Sequence, residues 1–390
     1  MKFIEDLEMR GKLVLLRAVL NVPMKNGEIQ DHFRIEAMLP TIKYCHEAAS
    51  KTVIIAHLGR PNGNWNEKKH SLKPVAERMS KLLGKEVLFY PDCRGEETKK
   101  FIEQAPEKAI ILLENVRKYK EERDNDENFG KELAEFGDVF VQDAFGDIYG
   151  EYASVMWPPQ VLPHAIGFRI KYEMESLDRL KNSPKHPYIA IVGGTKIKEK
   201  MGALKAIARH ADYILVGGGI ANTMYAAEGF DVKESFIQTD EVGSAKLLLT
   251  EFPEKIILPH DVLVAKKKGD EYDESSVRET LLENIEDGES ILDIGPETLH
   301  KYKKMCKDAR DIFWAGTMGY FEWPPASNGS SDLGKALVKM DNYLAIGGGE
   351  TATVFDQAKI ADKVDYISTG GGAALHYLAG EELPGLSVIT

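Results

Sequence analysis

Four basic side chains in the first half of the chain, Arg34, His57, Arg60 and Arg117, lie near the ends of short apolar runs, with Asn21 and Asn115 as amide partners. Guanidinium groups hold carboxylates and phosphates through paired N–H donors, so a cluster of them suits a small, highly anionic acid. The second half offers a different inventory. Glycine turns close four of its apolar runs: Gly193-Gly194, Gly217 to Gly219, Gly347 to Gly349 and Gly370 to Gly372. Glycine there permits a positive φ and lets a helix N-terminus bring bare N–H groups against phosphate oxygens. Lys196 follows the first turn and Lys200 lies one helical turn further on, which puts both ammonium groups on one face. Neither a GxxxxGK[ST] loop nor a complete dinucleotide fingerprint is present. Taken singly, each arginine reads as a surface ion pair and each glycine turn as tight packing; the functional reading rests on their shared position at strand ends.

Those positions must be supplied by alternating strands and helices. KLVLLRAV, KTVIIAHL, EVLFY, AIILLEN and DVFVQDA read as strands, and SLKPVAERMSKLLG keeps helical spacing between them. Continuous apolar strands separated by helices imply parallel sheets covered on both faces, hence an α/β fold with ligands at the carboxyl ends of the strands. PYIAIVGG, DYILVGGG, KIILPHD, SILDIGP, DIFWAGTMG, YLAIGGG and DYISTGGG repeat the plan. The charged stretch FRIKYEMESLDRLKNSPKHP separates the halves, and the domain junction is expected in it.

The 390 residues exceed what one core usually serves, so two domains are expected. A net charge of −12 argues against general affinity for nucleic acid or anionic membrane. Three scattered cysteines form no CxxC pair, which points to a reducing, cytoplasmic setting, and no apolar run or leader suggests membrane insertion or export.

NVPMKNGEI, RIEAMLPTI, HLGRPNG, SLKPVAERMSKLLGKEVLF, LLENVR, GDVFVQDAFG, IVGGTKIKEK, GGGIANT, DIGPET, MGYFEW, GGGETAT, STGGGA and LPG, in this order, resemble the phosphoglycerate kinase family over nearly the whole chain. The resemblance implies a monomer of two Rossmann-like three-layer domains with mainly parallel sheets. It divides the chain into an acid-binding domain (1–170), an interdomain helix (171–187) and a nucleotide-binding domain (188–375), with a tail (376–390) packing back on the first. It also implies ATP-dependent phosphorylation of the carboxylate of 3-phosphoglycerate, or the reverse transfer to ADP, with Mg²⁺ and hinge closure. By resemblance Asn21, His57, Arg60 and Arg117 bind the acid, while Arg34 and Lys196 stabilise the transferring phosphoryl group. Lys200 then contacts the α-phosphate, Glu322 the ribose, and the turns with Gly193, Gly194, Gly217, Gly218, Gly219, Gly347, Gly348 and Gly349 line the nucleotide pocket. Thr351 meets the terminal phosphates.

Several positions depart from the family pattern. Val19 replaces an aspartate that accepts the substrate's 2-hydroxyl, and Tyr149-Gly150 replaces His-Arg, removing one phosphate clamp. Ala315 and Thr317 stand for Asn and Pro, and Glu350 stands for a magnesium-binding aspartate, keeping the charge on a longer arm. Lost hydrogen bonds to charged groups at roughly 1.5–3 kcal/mol each lead us to expect about 10³-fold weaker turnover of the usual substrate. Three readings follow: a phosphoglycerate kinase with compensated pockets, a carboxylate kinase for a related phosphorylated or phosphonate acid, and a non-catalytic nucleotide-binding relative.

Overall fold

Alternation along the strands explains how each sheet is covered on both faces. In the first half Val14, Leu16, Ile54, Leu112, Val139 and Val141 enter one buried cluster, and their neighbours Leu15, Val53, Ile55, Ile111, Leu113 and Phe140 enter another. Successive side chains on a strand point to opposite faces, so a continuous apolar run feeds two cores. The first core is closed by Ile35, Met38 and Ile42 of the Phe33–Ala48 helix and by Val75, Ala76 and Met79 of Lys73–Leu83. Ile102 of Gly95–Gln104 with Phe129 and Leu133 of Glu127–Ala134 closes the second.

The computed structural model describes residues 1–61 and 64–389, apart from the side chain of Glu199. Asn62 and Gly63, at the end of HLGRPNG, and Thr390, at the end of the tail, lie outside the described residues. The chain divides into two compact units, Met1–Glu175 with Glu382–Thr390, and Ser176–Glu381. The dividing point falls within the Phe168–Asn182 helix, and residues 376–381 belong with the second unit.

The sheet of the first unit is parallel throughout, in the order Val87–Tyr90, Ile110–Leu113, Lys51–Ile55, Leu13–Arg17, Val139–Gln142, His164–Ile166. Its Leu13–Arg17 strand lies at the centre and pairs with both neighbours, Arg17 opposite Ile55 and Gln142. The chain therefore leaves the sheet at Arg17, Ile55, Leu113 and Gln142 on one common edge. At that edge Asp143 accepts from Thr41 Oγ1 at 2.5 Å and from Ile170 N at 2.9 Å, tying down the first turn of Phe168–Asn182. Burial raises the Asp143 carboxyl to about 6 against those hydrogen bonds.

A second parallel sheet runs Ile256–Ile257, Tyr213–Val216, Tyr188–Val192, Asp311–Ala315, Tyr343–Gly347, Tyr366–Ser368. The sequence reading placed SILDIGP in this series, but Glu289–Ile294 pairs antiparallel with Asp261–Lys268 in a separate small sheet. The reason lies in Asp261–Lys268, whose three terminal lysines are exposed and hid a strand apolar only in its first part.

Candidate functional site

In the first unit the candidate site is built on the AHLGRP segment after Lys51–Ile55. Its loop is fastened by two amides: Gly59 N donates to Asn21 Oδ1 at 2.8 Å, and Asn115 Nδ2 donates to Leu58 O at 2.7 Å and His70 O at 2.9 Å. Asn115 Oδ1 accepts from Arg117 N at 3.0 Å. Both asparagines thus shape the loop backbone. Arg34, on the first turn of Phe33–Ala48, donates through Nη1 to Asn21 O. Arg117 donates to Gly59 O at 3.2 Å, and its guanidinium lies 5.1 Å from the centre of the Tyr152 ring. Arg60 is exposed, and its charge acts on the Tyr149 hydroxyl. The structure therefore gathers Asn21, Arg34, His57, Arg60 and Arg117 around one loop.

It also gathers residues that the sequence reading passed over. Arg17 is fully buried, donates from Nε to Ser154 Oγ at 2.8 Å, and lies 3.1 Å from Asp147 Oδ2 and 3.8 Å from Glu122 Oε1. Asp147, 3% exposed, has Oδ2 2.9 Å from His57 Nδ1 and Oδ1 3.6 Å from Arg117 Nη2. These separations give strong electrostatic contact, although Oδ2 meets no partner at hydrogen-bonding angles. Glu122 accepts from the backbone N of Ser154 at 2.8 Å and from its hydroxyl at 2.7 Å. Burial works against ionisation of Asp147, but His57, Arg17 and Arg117 outweigh it and hold the carboxyl well below its usual range. Burial likewise lowers His57, to about 4, with Arg117 and Arg17 reinforcing the effect and Asp147 opposing it.

His57, grouped by sequence with the cations, is therefore a neutral ring near pH 7. Nitrogen-detected titration is expected to show no charge change at His57 between about pH 5 and 8. The linkage has a definite sign. Unfolded histidine binds its proton from 6.5 downward, so the stability contribution of the folded ring is intact above that value and is lost as pH falls toward about 4. A midpoint above 6 in the folded protein would contradict this assignment.

Val19, at 2% exposure, packs with Leu20 and Val22 in the apolar core of the unit. Gly150 has a local cause: a Cβ there would lie 2.7 Å from Cε2 of Tyr152, the ring that faces Arg117.

In the second unit the glycine turns meet at the carboxyl edge of the parallel sheet. Gly193 N donates to Ala315 O at 3.0 Å, Gly194 N to Thr317 O at 2.8 Å, and Gly218 N to Met318 O at 2.7 Å. The Gly218–Glu228, Gly349–Gln357 and Gly371–Ala379 helices begin directly from these turns. Gly217 and Gly219 abut Met318 and Phe236, Gly347 abuts Phe313, and Gly348 lies against Gly371. Much of the glycine is thus required by backbone packed on backbone. Gly316 shows it most sharply, with φ of +93° and a Cβ position 2.2 Å from Gly193 O. Gly316→Ala is expected to destabilise the second unit by about 2–4 kcal/mol in denaturant melts, and an unchanged midpoint would refute the packing argument.

Lys200 Nζ donates to Gly193 O at 2.5 Å. It lies 3.4 Å, and Glu350 Oε2 3.8 Å, from the point where a Cβ on Gly194 would sit, so an ammonium and a carboxylate share the mouth of one glycine turn. Thr351 Oγ1 accepts from Gly316 N at 2.8 Å and bonds Gly347 O at 3.1 Å, so this buried hydroxyl ties two turns together. Lys196 is exposed at the N-cap of Ile197–His210, whose first N–H groups meet Gln238 Oε1 at 2.5 and 3.2 Å. No sequence signal marked Gln238. Ala315 ends its strand as a buried methyl, and Thr317 Oγ1 donates to Gly319 O at 2.9 Å. Glu322 lies on an exposed turn tied through Tyr320 N to Leu292 O. Among the described residues no three His, Cys, Asp or Glu side chains converge as a metal cluster, and no helix is long and apolar enough to cross a membrane.

Comparison with known proteins gives this geometry its context. The family model described as phosphoglycerate kinase matches residues 4–381. A phosphoglycerate kinase of Lactobacillus gasseri is 40% identical, covering 99% of this chain and 98% of its own, and one of Pelotomaculum thermopropionicum is 38% identical, covering 100% and 98%. Among solved structures, the phosphoglycerate kinase of Pyrococcus horikoshii superposes with a TM-score of 0.88 at 32% identity, covering 100% of this chain and 98% of its own. That of Coxiella burnetii gives 0.79 at 34% identity, covering 99% and 98%. With the family model spanning almost every residue and the strand-end chemistry of both units in place, the chain belongs to the phosphoglycerate kinase family.

Proposed function

We propose that the protein catalyses ATP-dependent phosphoryl transfer to the carboxylate of 3-phosphoglycerate, and the reverse transfer from the acyl phosphate to ADP. The observation that carries this reading is full-length similarity to phosphoglycerate kinases in a chain that keeps Arg34, Lys196 and Lys200 at its strand-end sites. The first unit holds the acid through Arg34, Arg60 and Arg117, with Asn21 and His57 shaping the loop. The second holds the nucleotide on its glycine turns, with Lys200 on a phosphate and Glu322 toward the ribose.

No protein nucleophile is needed. A carboxylate oxygen attacks the γ-phosphorus, the bond from that phosphorus to the β–γ bridging oxygen breaks, and ADP leaves with the electron pair. The transferring group carries its charge on peripheral oxygens, so the protein's contribution is position and fixed positive charge from Arg34 and Lys196. Mg²⁺ fits a site of this kind, because it is ordinarily held by one or two carboxylates together with nucleotide phosphates, and Glu350 is exposed at the Gly194 turn. The ion would supply further charge neutralisation on those phosphates. The same reading takes the protein as a cytoplasmic monomer acting in glycolysis, which suits its acidic balance and three buried free thiols.

A related acid as acceptor is a second reading, favoured by Val19, whose buried isopropyl group offers no acceptor to a 2-hydroxyl. A coupled assay with MgATP and a panel containing 3-phosphoglycerate and hydroxyl-lacking analogues tests both. Acyl-phosphate formation from 3-phosphoglycerate supports the first, preference for an analogue supports the second, and none from any acid overturns the kinase reading.

A further inference from the structure

The acid site of the first unit contains its own anion. Asp147 ends the short Phe145–Asp147 turn and is buried among Arg17, His57 and Arg117, of which the last two are the groups that the family resemblance assigns to the acid substrate. It is held firmly. Its carbonyl accepts from Gly150 N at 3.2 Å, and the next residue is anchored where Ile148 O accepts from Gly385 N at 2.9 Å. Formal charges in the deep cluster balance: Arg17 and Arg117 face Asp147 and Glu122, and His57 is neutral. Tyr152 covers Arg117, and its ring leaves no room for a side chain at position 150.

Resting on the second reading above, a related acid as acceptor, we propose that Asp147 is a specificity-determining residue: its carboxylate fills the anion-binding position among Arg17, His57 and Arg117, so the site favours acceptor acids whose far end carries less negative charge than a phosphate dianion. A phosphate brought to these groups meets a fixed like charge, and like-charge juxtaposition is an effective way to reject a ligand. At the reacting end the carboxylate would meet Arg34, on the first turn of Phe33–Ala48, and the exposed Arg60. The chemical class favoured is therefore a small carboxylic acid with a neutral or singly charged far end.

The test compares 3-phosphoglycerate with glycerate, which differ only in the phosphate, by calorimetric binding to the full chain in the presence of MgADP. The wild type is expected to prefer 3-phosphoglycerate by less than about tenfold, because the phosphate finds its position taken. A preference of tenfold or more, or binding of neither acid, overturns the proposal. In Asp147→Asn, KM for 3-phosphoglycerate is expected to fall by about tenfold or more while KM for ATP and for glycerate stays within about twofold. If Asp147 were only a structural clamp, the variant would lower Tm and leave the ratio of the two acids unchanged, which also overturns the proposal. Should the variant fail to fold, the wild-type comparison decides alone. The failures are distinguishable: a wild type that turns over 3-phosphoglycerate with a large phosphate preference keeps the kinase reading and loses this one, whereas no acyl phosphate from any acid sinks the kinase reading itself.

Discussion

Arg17→Met is expected to lower the stability of the first unit by about 3–5 kcal/mol and its Tm by roughly 6–20 °C, the largest thermal effect of any single substitution argued for this protein. Arg17 has no exposed surface and stands between Asp147 and Glu122, both almost wholly buried. Removing the guanidinium leaves two carboxylates in the interior with one fewer cation, plus a Ser154 hydroxyl without its donor. Methionine fills much of the same volume, so the measured loss reports charge and hydrogen bonding rather than a cavity. Acid should narrow the gap between variant and wild type. The depressed pKa of Asp147 contributes stability that is present above its unfolded value of 3.8 and is lost as pH falls through the folded value. Chemical melts at neutral pH check the prediction, and a change below about 1 kcal/mol would show that the pair is not a stabilising element.

Arg34→Ala is expected to reduce kcat by about 10²–10³-fold while KM for ATP changes little. Arg34 sits on the first turn of its helix with its guanidinium turned toward the backbone of Asn21, the residue that also fastens the AHLGRP loop. Burial lowers its pKa, and Asp147, Asp31 and Glu173 act in the opposite direction. A cation in that setting is directed by the fold before any ligand arrives, which is the arrangement that stabilises developing charge at least reorganisation cost. Lysine at the same position should recover only part of the rate, because it lacks the paired donors of the guanidinium. Equal falls in kcat and kcat/KM would identify an interaction made in the transition state, and an unchanged kcat would remove Arg34 from the transfer step.

Most strands of the two parallel sheets were legible because they are unbroken apolar runs, many with glycine or a charged residue at the end. The His164–Ile166 strand was not, being three residues between Pro163 and Gly167, too short for any period to show. Nor was the antiparallel ladder of Asp261–Lys268, where exposed lysines mask the pairing. In the first unit the arginines, and in the second the glycine turns, announced themselves by residue type. Asp147 and Glu122 did not. Each lies in a polar stretch, DIYGEY and KYKEERDNDEN, that reads as solvated surface, yet both are buried because Arg17 at the end of a central strand needs partners. Burial of a charge depends on what the fold brings to it, and a single chain's pattern records only the charge itself.

The first unit is discontinuous along the chain: residues 382–389 join it, with Gly385 seated against Ile148 and Val155, after the whole of Ser176–Glu381 has been traversed. During synthesis, the ribosome must therefore make the whole of the second unit before the segment beside Asp147 can dock. Closing so long a loop adds little equilibrium cost but delays a contact of very high sequence separation. A nascent chain would expose the uncovered surface at Ile148 and Val155 for many seconds at ordinary elongation rates, leaving that surface for chaperones to shield.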